Sequence, residues 1–186
     1  MRFLPSELPG VIIVEPDVHR DPRGHFVETY QAQRYAEAGI PGPFVQDNQS
    51  RSARRTLRGL HLQIRHPQGK LVRVVTGTIF DVAVDVRRGS PTFGRWAGVT
   101  LSGEDFRQVY VPVGFAHGFC VTSDEAIIEY KCTDVYDRPG EIGLRWNEPA
   151  FGIAWPIAEP LLSGRDQGHP PLAALMAQLP VWNDPA

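Results

Sequence analysis

Cysteine is scarce in this chain: Cys120 and Cys132 are the only two in 186 residues, and they form no Cys-x-x-Cys pair. That excludes a dithiol redox motif and a zinc knuckle, and it reads as two buried, reduced thiols of a cytoplasmic protein. Long hydrophobic runs are also lacking. Nothing approaches the roughly 18 continuous apolar residues of a membrane-spanning helix. Met1-Arg2-Phe3-Leu4-Pro5 does not start the apolar stretch of a secretory signal, so no membrane partner is expected. Neither sign of charge dominates. The formal net charge is -2, which gives no basic excess of the kind nucleic acid attracts. Helical periodicity is confined to two short segments, Tyr30–Ala38 closed by Gly39 and Pro171–Leu179 opened by Pro171.

What is abundant is punctuation and strand. Gly 18 and Pro 17 are spread over the whole chain. Between them lie short β-rich runs at Val11–Glu15, Phe44–Ser50, Leu57–Gln63, Lys70–Thr76, Thr78–Val86, Arg95–Leu101, Gln108–Pro112, Phe119–Thr122 and Ala126–Thr133. Many short strands closely separated by turn residues indicate an all-β sandwich or barrel with a few short helices. Thr78–Val86 alternates most clearly. Phe80, Val82, Val84 and Val86 form one apolar face, and Asp81 and Asp85 form a solvated or paired one. Gly77 between two runs suggests a tight hairpin. No linker or repeat divides the chain, so residues 1–186 are expected to be one domain with a short C-terminal helical extension. Trp96, Trp146, Trp155 and Trp182 read as packing residues.

Two of the six histidines, His19, His25, His61, His66, His117 and His169, stand in suggestive places. His61 falls within the run Arg58-Gly59-Leu60-His61-Leu62-Gln63. His117 follows Pro112-Val113-Gly114-Phe115-Ala116, a Pro-x-Gly-x-x-His turn that resembles the second motif of cupin barrels. Metal-binding cupins carry His-x-His in their first motif. Here the same place reads His61-Leu62-Gln63, one imidazole short of a converging ligand set, which weighs against a metal. An unmetallated strand histidine is ordinarily a core residue with satisfied nitrogens. His61, however, has Gln46, Asn48, Arg58 and Lys70 in or beside nearby strands. Polar side chains in a barrel cost stability unless they are paired or face a cavity. The set therefore points to an anionic polar ligand inside the barrel. Periodicity alone leaves the faces open. Lys70 shares one face with Val72 and Val74, while Arg73 shares the other with Leu71 and Val75. Arg58 and His61, three apart, share a face only if Gly59 marks a bulge.

Several motifs in fixed order carry a family resemblance. They are Phe44-Val45-Gln46-Asp47-Asn48-Gln49-Ser50, Leu57-Arg58-Gly59-Leu60-His61, Gln68-Gly69-Lys70-Leu71-Val72-Arg73, Phe80-Asp81-Val82-Ala83-Val84-Asp85, Gly89-Ser90-Pro91-Thr92-Phe93-Gly94, Phe115-Ala116-His117-Gly118-Phe119 and Tyr130-Lys131-Cys132-Thr133-Asp134. Together they resemble the dTDP-4-dehydrorhamnose 3,5-epimerases from about Gly10 through Asp166. The resemblance implies a cupin-like jelly roll, usually a homodimer. It also implies epimerisation beside the C4 ketone of a dTDP-linked 4-keto sugar, with no metal and no organic cofactor. It casts His61 as general base, Asp166 as its carboxylate partner, Lys70 as the cation beside the developing enolate oxygen, and Tyr130 as the acid on the opposite face. Arg23, Glu28, Gln46, Asn48, Arg58, His117 and Glu141 resemble substrate-binding positions, and Tyr136 is a candidate to stack on the nucleotide base.

Two positions depart from the family pattern. Leu62 and Val135 stand where tyrosines are common, and both changes bear on how the sugar is positioned. The alternatives are an epimerase acting at one carbon of an antibiotic-type sugar, a non-catalytic sugar-nucleotide-binding cupin, and a metal-dependent cupin oxygenase or isomerase.

Overall fold

The computed structural model describes residues 1–183, so the last three residues of the expected domain lie outside the described residues. In chain order the strands are β1 (Arg2–Pro5), β2 (Ile12–Glu15), β3 (Val18–Asp21), β4 (Gly24–Val27), β5 (Gln46–Ala53), β6 (Leu57–Gln63), β7 (Lys70–Thr76), β8 (Thr78–Asp85), β9 (Trp96–Ser102), β10 (Gln108–Val111), β11 (Phe115–Val121), β12 (Glu125–Cys132) and β13 (Glu141–Gly143). Short helices α1 (Ala32–Glu37), α2 (Gly164–Gln167) and α3 (Leu172–Leu175) complete the described chain, with a 3-10 turn at Arg138–Gly140. Two antiparallel sheets face each other. One runs β1-β2-β10-β7-β12-β5 and the other β13-β6-β11-β8-β9. The hairpin β3-β4 stands apart as its own two-stranded sheet. This is the cupin-like arrangement the strand pattern and the resemblance led to.

The strand limits follow the sequence closely at β6 and β7 and less well elsewhere. β11 begins at Phe115, so the turn expected to end near His117 has already become strand there. The hairpin β3-β4 and the strands β1 and β13 carried too little apolar alternation to be read. Gly77 is not a hairpin turn. β7 and β8 lie in different sheets, and Gly77, at φ +83°, carries the chain from one sheet to the other. A Cβ at Gly77 would sit 2.0 Å from the Glu125 carbonyl oxygen, so only glycine fits this corner.

The space between the sheets is polar at one end and apolar at the other, and strand register makes the gradient visible. On the six-stranded sheet one cross-strand row is Gln46, Cys132 and Lys70; the next is Asn48, Tyr130 and Val72; the next is Ser50, Ile128 and Val74. From the second row onward Val72, Val74 and Ile128 join Ile79, Ala83 and Phe119 in an apolar core. The outer face of the five-stranded sheet is buried as well. Leu60, Leu62, Val82, Val84 and Val86 pack there against Leu144, Phe151, Leu175 and Leu179 of the C-terminal segment. Trp96 and Trp155 join that layer, and the Arg87 guanidinium lies 4.3 Å from the Trp182 ring centroid. So the apolar face read on Thr78–Val86 looks outward onto the C-terminal segment, and Asp81 and Asp85 face the interior. Of the two options for those aspartates, pairing holds and solvation does not: both are fully buried.

Candidate active site

Gly59 makes the site possible. Between β6 and β11 the register steps from His117 opposite His61 to Phe119 opposite Arg58, so β6 spends one extra residue over that interval. This is the bulge on which a shared face for Arg58 and His61 depended. Gly59 has φ +125°, and a Cβ there would lie 2.6 Å from the Gly118 Cα. With the extra residue absorbed, His61 faces the polar end of the interior. Arg58 turns toward β5, where its Nε donates to Ser52 Oγ at 3.1 Å.

His61 Nε2 lies 2.7 Å from Asp166 Oδ1. Asp166 is fixed in turn by Ser163. The hydroxyl donates to Asp166 Oδ2 at 2.7 Å and caps α2 by accepting from the Asp166 amide at 3.1 Å. Burial alone would raise the Asp166 pKa, but the hydrogen bonds from His61 and Ser163 and the nearby imidazoles hold it below the usual carboxylate range. Asp166 is thus no surface acid, despite its polar sequence surroundings. Facing an ionised carboxylate, Nε2 carries the ring hydrogen in the neutral tautomer, leaving the Nδ1 lone pair free.

From the other sheet, β12 and β7 contribute Tyr130 and Lys70. Burial pushes the Tyr130 pKa up, assisted by Cys132 and opposed by Arg58, so the phenol keeps its proton at neutral pH. Burial pushes the Lys70 pKa down, opposed by the Cys132 thiol, Glu141 and Asp81. Among the described residues no carboxylate lies within ion-pair distance of Lys70. A cation held this way gains most from an anion delivered by a ligand.

A chain of hydrogen bonds forms the rim. Gln46 Nε2 donates to Asn48 Oδ1 at 3.0 Å, and Asn48 Nδ2 reaches Cys132 Sγ at 3.6 Å. The Tyr136 amide donates to Gln46 Oε1 at 2.9 Å, and the Tyr136 hydroxyl donates to Glu141 Oε2 at 3.0 Å. Arg165 pairs with Glu141, and one of its terminal nitrogens lies 3.4 Å from the Tyr136 hydroxyl. Gln63, whose strand neighbour is Glu141, is buried with both amide atoms unpaired among the described residues.

His117 is held differently. Its Nε2 sits 2.9 and 3.0 Å from the two oxygens of Asp81, and both side chains are almost fully enclosed. Asp81, Ser163, Arg165 and His169 are site neighbours that sequence reasoning did not single out. Only Asp81, opposite an apolar face in an alternating run, left a signal that could have found it. Arg23 and Glu28 are not joined to the cluster within this chain. Arg23 pairs with Asp21 at the tip of β3-β4 with its side chain 90% exposed, and Glu28 pairs with Arg34. Leu62, a departure expected to disturb the sugar, points away from His61 into the outer apolar layer. Val135 is exposed beside Tyr136.

A cupin-like double sheet carries an imidazole–carboxylate pair on one sheet and a half-buried lysine and phenol on the other, and the protein is an isomerase of the cupin class. The family model described as dTDP-4-dehydrorhamnose 3,5-epimerase matches residues 5–174. A Pseudomonas aeruginosa protein of that name is 54% identical over 162 residues, covering 86% of this chain and 90% of its own length. The solved dTDP-6-deoxy-D-glucose-3,5-epimerase of Legionella pneumophila, in complex with dTDP-4-keto-L-rhamnose, superposes with a TM-score of 0.95 at 47% identity over 98% of each chain. A dTDP-4-dehydrorhamnose 3-epimerase of Streptomyces niveus is 43% identical over 169 residues, covering 90% of this chain and 82% of its own. The chain belongs to the dTDP-4-dehydrorhamnose 3,5-epimerase family.

Proposed function

We propose that the protein epimerises C3 and C5 of a dTDP-linked 4-keto-6-deoxy sugar in deoxysugar biosynthesis, with His61, Lys70, Tyr130 and Asp166 as its acid–base machinery. The observation that supports this is an imidazole bonded to a buried carboxylate on one sheet and a protonated phenol on the sheet that faces it. A C–H next to a ketone is acidic because the carbanion spreads onto oxygen. Catalysis therefore needs a base at carbon and positive charge at oxygen, both in place beforehand. His61 Nδ1 takes the proton, and Asp166 stabilises the imidazolium that results. The Lys70 ammonium lies beside the enolate oxygen and trades its lack of a partner for that charge. Tyr130 returns a proton to the other side of the carbon, which inverts the centre. One imidazole alone returns the proton to the face it came from.

Gln46, Asn48, Arg58, His117, Tyr136 and Glu141 serve the substrate in this reading. Arg58 can fork onto a pyrophosphate in a way lysine cannot. Arg23 and Glu28 enter only through a second copy: in the proposed homodimer the detached β3-β4 hairpin, with Phe26 71% exposed, reaches a neighbouring subunit. The reaction needs no metal and no organic cofactor. The two buried free thiols suit a cytoplasmic location, and no described helix is long and apolar enough to cross a membrane.

The similarity to a 3-epimerase favours one second reading, in which only a single carbon inverts. Incubation with a dTDP-4-keto-6-deoxyhexose in deuterated water, with deuterium located by NMR, separates the two. Label and inversion at both C3 and C5 are expected. Label at one carbon supports the narrower activity, and none at either removes the proposal.

A further inference from the structure

His169 is not used by the chemistry above, yet it is the most conspicuous polar side chain near it. Its side chain is 7% exposed, and neither ring nitrogen has a hydrogen-bond partner among the described residues. It lies against Gly143, where a Cβ would fall 2.1 Å from His169 Nε2, and Gly143 is the strand partner of His61. The His169 ring stands edge-on to His61, 5.4 Å between centroids at 85°. Its Nδ1 is 3.8 Å from the same Asp166 oxygen that His61 contacts at 2.7 Å. One ligand atom from each of His61, Asp166 and His169 falls within 4.8 Å of the other two. Ligands about 2.0–2.1 Å from a tetrahedral ion lie roughly 3.3 Å apart, and the separations here bracket that spacing. The imidazole missing from the strand motif His61-Leu62-Gln63 is thus supplied by the C-terminal segment.

We infer that His61 Nε2, Asp166 Oδ1 and His169 Nδ1 form an inhibitory site for a divalent transition cation, Zn²⁺ being the best match. Two imidazoles and a carboxylate are a familiar zinc set, leaving a fourth position for water on the exposed side of His61. The inhibition rests on the proposed role of His61 as base; the binding does not. A metal takes the Nε2 lone pair, so the hydrogen now on Nε2 moves to Nδ1. No proton is gained or lost by the ring, but the lone pair that faces the sugar is gone. The ion leaves the substrate-binding rim untouched, so it lowers kcat without changing KM.

The test combines calorimetric titration of the purified protein with Zn²⁺, visible absorption of its Co²⁺ form, and deuterium exchange into the sugar at increasing Zn²⁺. One Zn²⁺ per chain is expected, with a four-coordinate Co²⁺ spectrum and exchange falling in step with occupancy until a chelator restores it. Loss of an outer-shell partner typically weakens a metal about 10–100-fold, so removing a direct ligand is expected to cost at least about 100-fold. His169→Phe keeps a ring against Gly143 and should lose that affinity and the inhibition while still exchanging without metal. His169→Ala should lose the same affinity with different packing, so that a folding defect in one variant does not decide the matter. Wild-type affinity in both variants would place the ion elsewhere and overturn the site. Zn²⁺ bound at this site with exchange unaffected would overturn the tautomer argument. Calorimetry and the Co²⁺ spectrum need no sugar, so they stand or fall separately from the epimerase reading.

Discussion

Two imidazole–carboxylate pairs face the same interior, and His61 and His117 are direct cross-strand partners. They differ in what lies behind and in front of each ring. His117 is clamped by both oxygens of Asp81, with 9% and 1% of the two side chains exposed. His61 touches one oxygen of Asp166, and 24% of its side chain remains open. Asp81 is fixed in the barrel strand β8, whereas Asp166 is delivered by the capped turn of α2 from a segment wrapped around the outside. An enclosed pair holds a ring still. A pair with one free nitrogen facing a cavity can exchange a proton with something else. In the proposed mechanism, exposure sorts identical chemistry on neighbouring strands into holding and reacting.

The largest expected effect divides the two rings. His61→Asn should lower deuterium exchange about 10⁴-fold, the upper end for removing a general base. His117→Asn should act on KM and thermal stability and leave exchange within about tenfold. Equal losses of exchange would erase the distinction. The carboxylates come next. Asp166→Asn should slow exchange about 10²–10³-fold by reversing the tautomer of His61, with little change in melting temperature. Asp81→Asn should instead destabilise the fold by about 1–3 kcal/mol, the usual cost of an ill-satisfied buried polar group. Thermal melts beside exchange rates on both variants settle which aspartate supports which property.

Lys70→Met should lower kcat about 10²–10³-fold, as for loss of one oxyanion-stabilising group. Its stability effect has a definite sign. Burial lowers the folded-state pKa of Lys70 below its unfolded value of about 10.4. Below the folded pKa the wild type carries the whole penalty of a buried charge, so the methionine variant should melt higher at pH 7. Between the folded pKa and about 10.4 the unfolded chain binds more protons, and wild-type stability rises toward that of the variant. Melting curves of both proteins from pH 6 to pH 10 check this. A gap that widens with rising pH would mean the lysine is paired.

Much of this was legible before the structure because strand alternation survives in single sequences. Leu57–Gln63 and Lys70–Thr76 have the limits expected of them, and the spacing of Arg58 and His61 marked Gly59 as the place where a bulge would bring the two to one face, while periodicity left the faces open. The misses share a physical cause. Thr78–Val86 has one apolar face, but a segment far along the chain covers that face, so the aspartates opposite it turn inward rather than to solvent. Gly77 looks like a hairpin because sequence shows a turn but not which sheet receives the next strand. His169 left no trace beyond standing three residues after Asp166, since a coil segment has no periodicity to read. Arg23 and Glu28 came from resemblance alone, and one chain does not bring them to the cluster.

The central claim is that the proton leaves to one sheet and returns from the other. Tyr130→Phe removes only the returning proton, and a single sample can report deuterium exchange by NMR and inverted product through a coupled ketoreductase. Exchange at one or both carbons with much less inversion is expected, while His117→Asn in the same assay keeps the wild-type ratio. If Tyr130→Phe leaves that ratio unchanged, Tyr130 is packing and the opposite-face acid is another group.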